Sequence, residues 1–112
     1  MAAIEQLREA IKLVFRSWEE YPNPDLSLFR IAGVMDIAHD RYTLTHIDFD
    51  GDRYKSSLLA YLEIRDSKIW ILTDNTEEGI ATELVAENID KEQIVLGFYS
   101  AALREAGDFA IR

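Results

Sequence analysis

The sequence of 112 residues predicts a mixed α+β domain in which an antiparallel sheet of four to five strands packs against two helices. Three observations support this prediction. They are a helical repeat of apolar residues at the N-terminus, four consecutive stretches of strand character joined by short turns, and a helix signal directly after the fourth strand. The apolar fraction of 48% is sufficient for one packed core. We therefore expect a single domain over residues 1–112.

The first predicted element is an amphipathic helix. Its apolar residues recur at spacings of three and four, which places them along one face of the helix. The helix must end before the segment Tyr21-Pro22-Asn23-Pro24-Asp25, because prolines remove backbone donors and push the residues before them out of the helical region. The sequence therefore predicts a rigid corner after the helix. The residues of the apolar face are Ile4, Leu7, Ile11, Val14 and Trp18.

Four strands follow in a predicted antiparallel meander. Residues 29–37 alternate in character, and residues 44–49 are rich in β-branched side chains, with a turn near His39-Asp40-Arg41. Asp50-Gly51-Asp52 is typical of a hairpin turn, and residues 65–68 form the turn before the fourth strand at 69–73. In the third strand, the period of two predicts a single face made of Tyr54, Ser56, Leu58, Ala60, Leu62 and Ile64.

The fourth strand is followed almost at once by a helix start. Asp74 and Thr76 are both good N-cap residues, and Asp74 with Glu77 fits a capping box, so we predict a second helix over about 75–88. We expect the N-terminal helix and this second helix to cover one face of the sheet and to leave the other partly open. The buried face of the second helix should contain Ile80, Leu84 and Val85.

The C-terminal part of the chain is less regular. Periodicity does not decide whether residues 94–99 form a short buried strand or a helix. Their β-branched side chains and Gly97 favour the strand. A short helix from about Ser100 to Ala106, ended by Gly107, is expected to follow.

The charge balance limits the classes of partner. With 12 basic and 21 acidic residues, the formal net charge is -9, so the surface should repel phosphate backbones and direct binding to nucleic acid is not expected. The absence of cysteine excludes disulfides and thiolate chemistry. We see no export signal and no apolar stretch near the roughly 20 residues that span a bilayer. The sequence thus suggests a cytoplasmic protein without membrane contact.

The pattern that most resembles a metal site consists of Asp48, Asp50 and Asp52, together with His46. Carboxylates at alternate positions resemble the start of a calcium loop, but the glycine and the bidentate glutamate of an EF-hand are missing at their required positions. Since Asp-Gly is a standard hairpin dipeptide, a solvated turn is the favoured interpretation. A small metal-dependent hydrolase that uses these four residues is the alternative function.

No other catalytic pattern is present in the sequence. His39 and His46 are the only histidines, and neither belongs to a known nucleophile, phosphate-binding or metalloprotease motif. We therefore predict no catalytic, cofactor-binding or metal-binding residues, and no enzyme activity.

The segment 74–92 contains seven carboxylates and one lysine. A solvated face explains such a segment, and an acidic patch that meets a basic partner is the alternative. Trp70 is either buried in the sheet or part of an exposed aromatic row on the uncovered face, which would mark a protein interface. The candidate partner-binding residues are Glu77, Glu78, Glu83, Glu87 and Trp70.

The motifs described above, taken together and in order, resemble the XisI-like family, the controlling factors of fdxN element excision in cyanobacteria. The resemblance covers about 21–109 and includes Asp50-Gly51, Lys68-Ile69-Trp70-Ile71 and Ile94-Val95-Leu96-Gly97-Phe98. The family-signature residues, which are specific only in combination, are Tyr21, Pro22, Pro24, Asp25, Trp70, Asp74, Thr76, Glu77, Gly79, Glu83 and Gly97.

The sequence also departs from the family pattern. Phe49 stands where the family has tryptophan, Tyr61 stands where it tends to have histidine, and Tyr99-Ser100-Ala101 replaces a His-Pro-Pro. If those histidines serve chemistry in relatives, this chain lacks it. The resemblance implies an accessory role in programmed DNA excision, exerted by binding a XisH-like partner protein. The partly open sheet face further suggests a homodimer or higher homo-oligomer.

Overall fold

The computed structural model describes residues 1–20 and 29–112. The predicted proline corner, with Tyr21, Pro22, Pro24 and Asp25, lies outside the described residues. Within them, no helix is long and apolar enough to cross a membrane. Eight elements follow in chain order: α1 (Ile4–Glu19), β1 (Phe29–Asp36), β2 (Arg41–Phe49), β3 (Tyr54–Arg65), β4 (Lys68–Asp74), α2 (Ile80–Ala86), β5 (Ile94–Leu96) and α3 (Ala101–Glu105).

The five strands form one open sheet in the order β1-β2-β3-β4-β5. The first four are antiparallel neighbours, which confirms the meander. β5 instead runs parallel to β4, with Ile69 opposite Ile94, because α2 carries the chain back across the sheet before β5 begins. The ambiguity over residues 94–99 is thus resolved in favour of a strand at Ile94–Leu96.

The core lies between one face of the sheet and the helices α1 and α2. Leu7, Ile11 and Leu84 of the helices are fully buried, as the helical periodicity predicts. Ile4 and Trp18, at the two ends of the predicted apolar face of α1, are only partly buried and pack against the edge of this core. The fully buried side chains of the sheet are Tyr42, Leu44, Ala60, Leu62, Ile69, Ile71, Ile94 and Val95.

Helix α1 lies close to the edge strand β1 at Gly33. A Cβ at this position would lie 3.2 Å from Cδ2 of Phe15, so the missing side chain permits the close approach. The backbone N–H of Gly33 donates to Oε2 of Glu19 at 3.1 Å. This carboxylate therefore covers part of an edge that would otherwise be open to pairing with another strand.

A β-bulge at Leu59 changes the face of β3. Leu44 of β2 pairs with Ala60, whereas the next residue, Thr45, pairs with Leu58. Leu58 therefore lies on the face opposite to Ala60, and Ser56 and Tyr54 lie on the same face as Leu58. The prediction that Tyr54, Ser56, Leu58, Ala60, Leu62 and Ile64 share one face is wrong, because the bulge interrupts the period of two.

A charged network fastens α1 to the turn between β1 and β2. Nε and Nη2 of Arg8 donate to the two carboxylate oxygens of Asp40 at 2.9 and 3.1 Å, and the hydroxyl of the buried Tyr42 donates to Oδ1 at 2.5 Å. The Arg8 guanidinium holds the pKa of the Asp40 carboxyl below its usual range. Burial, with the neighbouring Asp40, raises the pKa of Tyr42 to about 12.

Gln93 is a buried polar residue that joins three parts of the chain. Its Oε1 accepts from the backbone N–H of Ala2 at 2.7 Å. Its Nε2 donates to the carbonyl oxygens of Ala2 and Ser67 at 3.0 and 3.1 Å. The N-terminus, the β3–β4 turn and the start of β5 are thus tied together, and every polar atom of this side chain is satisfied.

Gly97 lies where a side chain would collide with β4. A Cβ there would be 2.6 Å from Cδ2 of Leu72 and 3.2 Å from the carbonyl oxygen of Ile71. We expect Gly97→Ala to lower the free energy of unfolding by about 1–3 kcal/mol through overpacking, as measured by chemical denaturation. Gly107→Ala is the matched control, since the same Cβ meets its nearest atoms only at 3.7 Å. Equal effects of the two variants would contradict this explanation.

Candidate functional site: an acidic groove between β4 and α2

A second bulge places Asp74 on the helix-covered face of the sheet. In β3, Leu62 pairs with Ile71 and Tyr61 pairs with Thr73, so Leu72 is the extra residue. Without it, strict alternation from Ile71 would turn Asp74 to the open face. With it, Asp74 lies opposite the buried Ala60, on the same face as α2.

The Asp74 carboxylate organises the junction between β4 and α2. Its Oδ1 accepts from the backbone N–H and the hydroxyl of Thr76 at 2.9 and 2.6 Å. Its Oδ2 accepts from the N–H of Ile80 at 2.7 Å. Asp74 thus satisfies one donor at the start of the helix from six residues upstream. Gly79, just before the helix, has a φ of 91°, which explains the glycine by backbone conformation.

The start predicted for the second helix is wrong. The helix begins at Ile80 rather than near residue 75, so the predicted capping box of Asp74 with Glu77 does not describe this helix start. Glu77 and Glu78 precede the helix and extend from the loop. The reason is that the Asp74 carboxylate forms a local turn with Thr76, so the helix begins further along the chain.

The loop between β4 and α2 borders a groove of about 500 Å³. The half-buried side chains of Trp18 and Leu59 supply its apolar part, and the bulge in β3 is the reason why Leu59 reaches this region. Asn75 fastens the loop to that bulge, because its N–H donates to Leu59 O at 2.7 Å and its Nδ2 donates to Leu58 O at 2.9 Å. The lining residues of this acidic groove are Trp18, Leu59, Asn75, Thr76, Glu77, Glu78 and Glu83.

Glu83 is the central charged residue of the acidic groove. Nε1 of Trp18 donates to both of its carboxylate oxygens, each at 3.0 Å, which links α1 to α2. Burial raises the pKa of Glu83, the Trp18 hydrogen bond lowers it, and the charges of Asp74 and Glu78 raise it further. Among the residues that the structure describes, none of the ion pairs involves Glu83. The groove therefore concentrates negative charge without a compensating cation from this part of the chain.

The predicted partner-binding residues fall in three places: the acidic groove, a second depression and, for Trp70, the open face of the sheet. Glu77, Glu78 and Glu83 meet in the acidic groove. Glu87 instead borders a separate depression beside Glu9 and Leu13 of α1. The acidic segment therefore does not present one continuous patch.

Trp70 lies on the open face of the sheet, opposite its buried neighbours Ile69 and Ile71. It is partly buried, and the guanidinium carbons of Arg65 and Arg104 lie 5.1 and 5.9 Å from its ring centroid. The contact of Arg104 joins the C-terminal helix α3 to the sheet, whereas the contact of Arg65 lies within the sheet. Trp70 is thus on the other face of the sheet from the acidic groove.

The residues of the alternative hydrolase have structural contacts. Oδ1 of Asp50 accepts from the N–H groups of Asp52 and Arg53 at 3.0 Å each, and Lys55 lies 3.3 Å from its Oδ2. His46 and Asp48 are two residues apart in β2. Within residues 1–20 and 29–112, no group of three or more histidine or acidic residues could hold a metal ion.

Several residues of the acidic groove have little or no functional signal in the sequence. Trp18 is identifiable from sequence only as an apolar residue of α1, and its hydrogen bond to Glu83 joins residues 65 positions apart. The sequence pattern does not predict that Leu59 lines the groove, because its position there depends on the β-bulge in β3. Asn75 had a weak signal, since asparagine directly after a strand is typical of a turn.

The fold and the acidic groove define the class of protein: a small open-faced α+β domain with an acidic cleft beside its second helix. The XisI protein family model matches residues 1–111. The chain therefore belongs to the XisI family, as the sequence motifs indicate. A search of curated proteins found no match.

Two solved structures from Anabaena variabilis ATCC 29413 are similar to this chain. A XisI-like protein is 21% identical and has a TM-score of 0.85, with 98% of this chain and 100% of that one covered. The fdxN element excision controlling factor XisI is 26% identical and has a TM-score of 0.77, with 97% and 98% covered. The chain is thus related to the fdxN excision controlling factor.

The raised pKa of Glu83 has a measurable consequence for stability. The pKa of Glu83 is higher in the folded state than in the unfolded state. At a pH below both values, Glu83 is protonated in both states. As the pH rises through the pKa of the folded state, Glu83 becomes charged in its partly buried site and the free energy of unfolding falls. We expect Glu83→Gln, which keeps an acceptor for Trp18, to raise the melting temperature at pH 7 relative to the parent. The difference should shrink towards pH 4. A lower melting temperature for the variant at pH 7, with no dependence on pH, would contradict this account.

Proposed function

We propose that this protein is an accessory factor of a DNA excision system and acts by binding a XisH-like partner protein rather than by catalysis. The proposal is supported by membership of the XisI family and by the name of the related fdxN element excision controlling factor. A regulatory role is consistent with both.

The observation that carries the proposal is the composition of the acidic groove. Four family-signature residues, Asp74, Thr76, Glu77 and Glu83, either line the groove or hold its loop. Several of the described residues by which this chain resembles its family therefore meet at this groove, whereas Trp70 and Gly97 lie elsewhere. A cleft lined by carboxylates and apolar side chains is suited to binding a basic surface of another protein.

The charge of the whole molecule supports the same mode of action. With a net charge of -9, the chain would approach a phosphate backbone against electrostatic repulsion. A basic, DNA-acting partner would instead be attracted, and that attraction would be sensitive to salt.

The alternative of a metal-dependent hydrolase is less well supported. Oδ1 of Asp50 accepts two backbone hydrogen bonds of the β2–β3 turn, and Lys55 is paired with its second oxygen. These contacts give the Asp-Gly turn a structural explanation.

Co-expression with the XisH-like protein, followed by size-exclusion chromatography, tests the proposal. We expect co-elution at low salt and weaker association at high salt, because opposite charges are screened. The double variant Glu77→Gln/Glu78→Gln should weaken the complex about tenfold. Separate elution of the parent protein at low salt would refute the proposal.

The matched control removes two charges elsewhere. Asp66 and Glu105 are exposed, in the β3–β4 turn and at the end of α3. Asp66 has a φ of 50°, a conformation that asparagine tolerates. Asp66→Asn/Glu105→Gln should leave partner affinity nearly unchanged. Equal weakening by both double variants would show that net charge, and not the groove, governs binding.

We further propose a homodimer through the open face of the sheet. Val34, Thr43, Tyr61 and Thr73 form a row across four strands on this face, and Val34 is 60% exposed. The next row alternates in charge at Asp36, Arg41 and Glu63. Such a row can pair with its own copy across a two-fold axis.

Light scattering at high protein concentration tests the dimer. We expect twice the chain mass of 12.9 kDa, and a shift to monomer for Val34→Lys, because a charge would be buried in the contact. Leu13→Lys is the control, since Leu13 is 40% exposed on α1, on the other side of the sheet. A parent protein that stays monomeric would refute this proposal.

A further inference from the structure

We infer that the acidic groove binds one arginine side chain from an extended basic segment of the partner protein. This inference rests on the proposed function and names the chemistry of the contact. It follows from the shape of the groove, the arrangement of its charges and the position of Trp18.

The groove combines apolar and negatively charged lining residues. Trp18 and Leu59 are half-buried and form its apolar part, whereas Glu77, Glu78 and Glu83 carry the negative charge. A long basic side chain has the complementary structure, because its methylene stem packs on apolar surface while its charged end reaches polar groups. The volume of about 500 Å³ is within the range of binding pockets.

The distribution of carboxylates favours an organic cation over a metal ion. Among the described residues, no three acidic or histidine side chains come close enough to share one metal. A guanidinium group is larger and planar, and it can contact two separated carboxylates at once.

Trp18 and Glu83 provide the specific contacts. The indole N–H already donates to both Glu83 oxygens, which holds the ring and the carboxylate side by side. Each carboxylate oxygen has a second lone pair that can accept from an incoming guanidinium, and tryptophan is the best aromatic partner for a cation. A half-buried carboxylate without a cation among the described residues is also the group that gains most from one.

Lysine would satisfy the charge but would use the site less well. Its ammonium is a compact, strongly hydrated point charge, whereas a guanidinium is weakly hydrated and stacks on aromatic rings. The groove therefore favours arginine.

The test is a titration of the ¹⁵N-labelled full chain with the peptide acetyl-Ala-Leu-Arg-Leu-Ala-amide, followed by NMR. The indole N–H of Trp18 and the backbone amides of Asn75 and Thr76 should shift. The indole of Trp70, on the other face of the sheet, should not. The same peptide with citrulline in place of arginine keeps the shape without the charge, and it should bind at least about tenfold more weakly.

Two isosteric variants give the matched comparison. Glu83→Gln should weaken the arginine peptide at least about tenfold, while Glu87→Gln, outside the groove, should leave it unchanged. Equal binding of the citrulline peptide, equal loss in both variants, shifts centred on Trp70, or the same shifts produced by Mg²⁺ alone would each overturn the inference.

Repeating the partner co-elution with Glu83→Gln separates this inference from the proposed function. If the variant binds the XisH-like partner as tightly as the parent does, the arginine contact is refuted and the proposed function stands. If the arginine peptide binds but the parent never binds the partner, the proposed function is refuted and the groove chemistry stands. A loss of partner affinity parallel to the loss of peptide affinity supports both.

Discussion

The hydrogen bonds of one carboxylate hold the junction between β4 and α2 together. Asp74 is the last residue of β4, and it accepts from Thr76 and from the first residue of α2. Because a bulge at Leu72 turns this carboxylate towards the helices, the chain can leave the sheet and begin α2 within a few residues. The position of Glu83, and with it the acidic groove, depends on this contact.

The negative charge at the groove, which no cation of the described residues compensates, lowers the stability of the folded state. Several carboxylates elsewhere in the described residues are paired with cations, as Asp40 is with Arg8, and that pair favours the fold. Glu83 receives only an indole N–H among the described residues, and burial raises its pKa. Sites that lower stability in this way are common where a protein must bind something else. The two faces of the sheet also differ: one carries the core and the groove, and the other carries Trp70, whose ring contacts two arginines.

Local sequence patterns were informative wherever the burial or facing of a residue depends on a single helix or strand. The 3.6-residue repeat of α1 identified Leu7 and Ile11 as buried, and alternation in β4 separated Trp70 from Ile69 and Ile71. The family motifs, which include Gly97, identified the XisI family. The same patterns failed for Leu58 and for the start of α2, because a bulge changes the period of two and a side-chain hydrogen bond replaces a capping box.

The sequence alone determined the fold class, the acidic character and the family, because composition, periodicity and motif order are properties of neighbouring residues. Only the tertiary structure decided which residues form a site. Trp18 meets Glu83 across 65 positions, and Gln93 binds Ala2 across 91. Two bulges bring Leu59 and Asp74 to the helix-covered side. Contacts of this kind depend on strand register and helix packing, which no local pattern specifies.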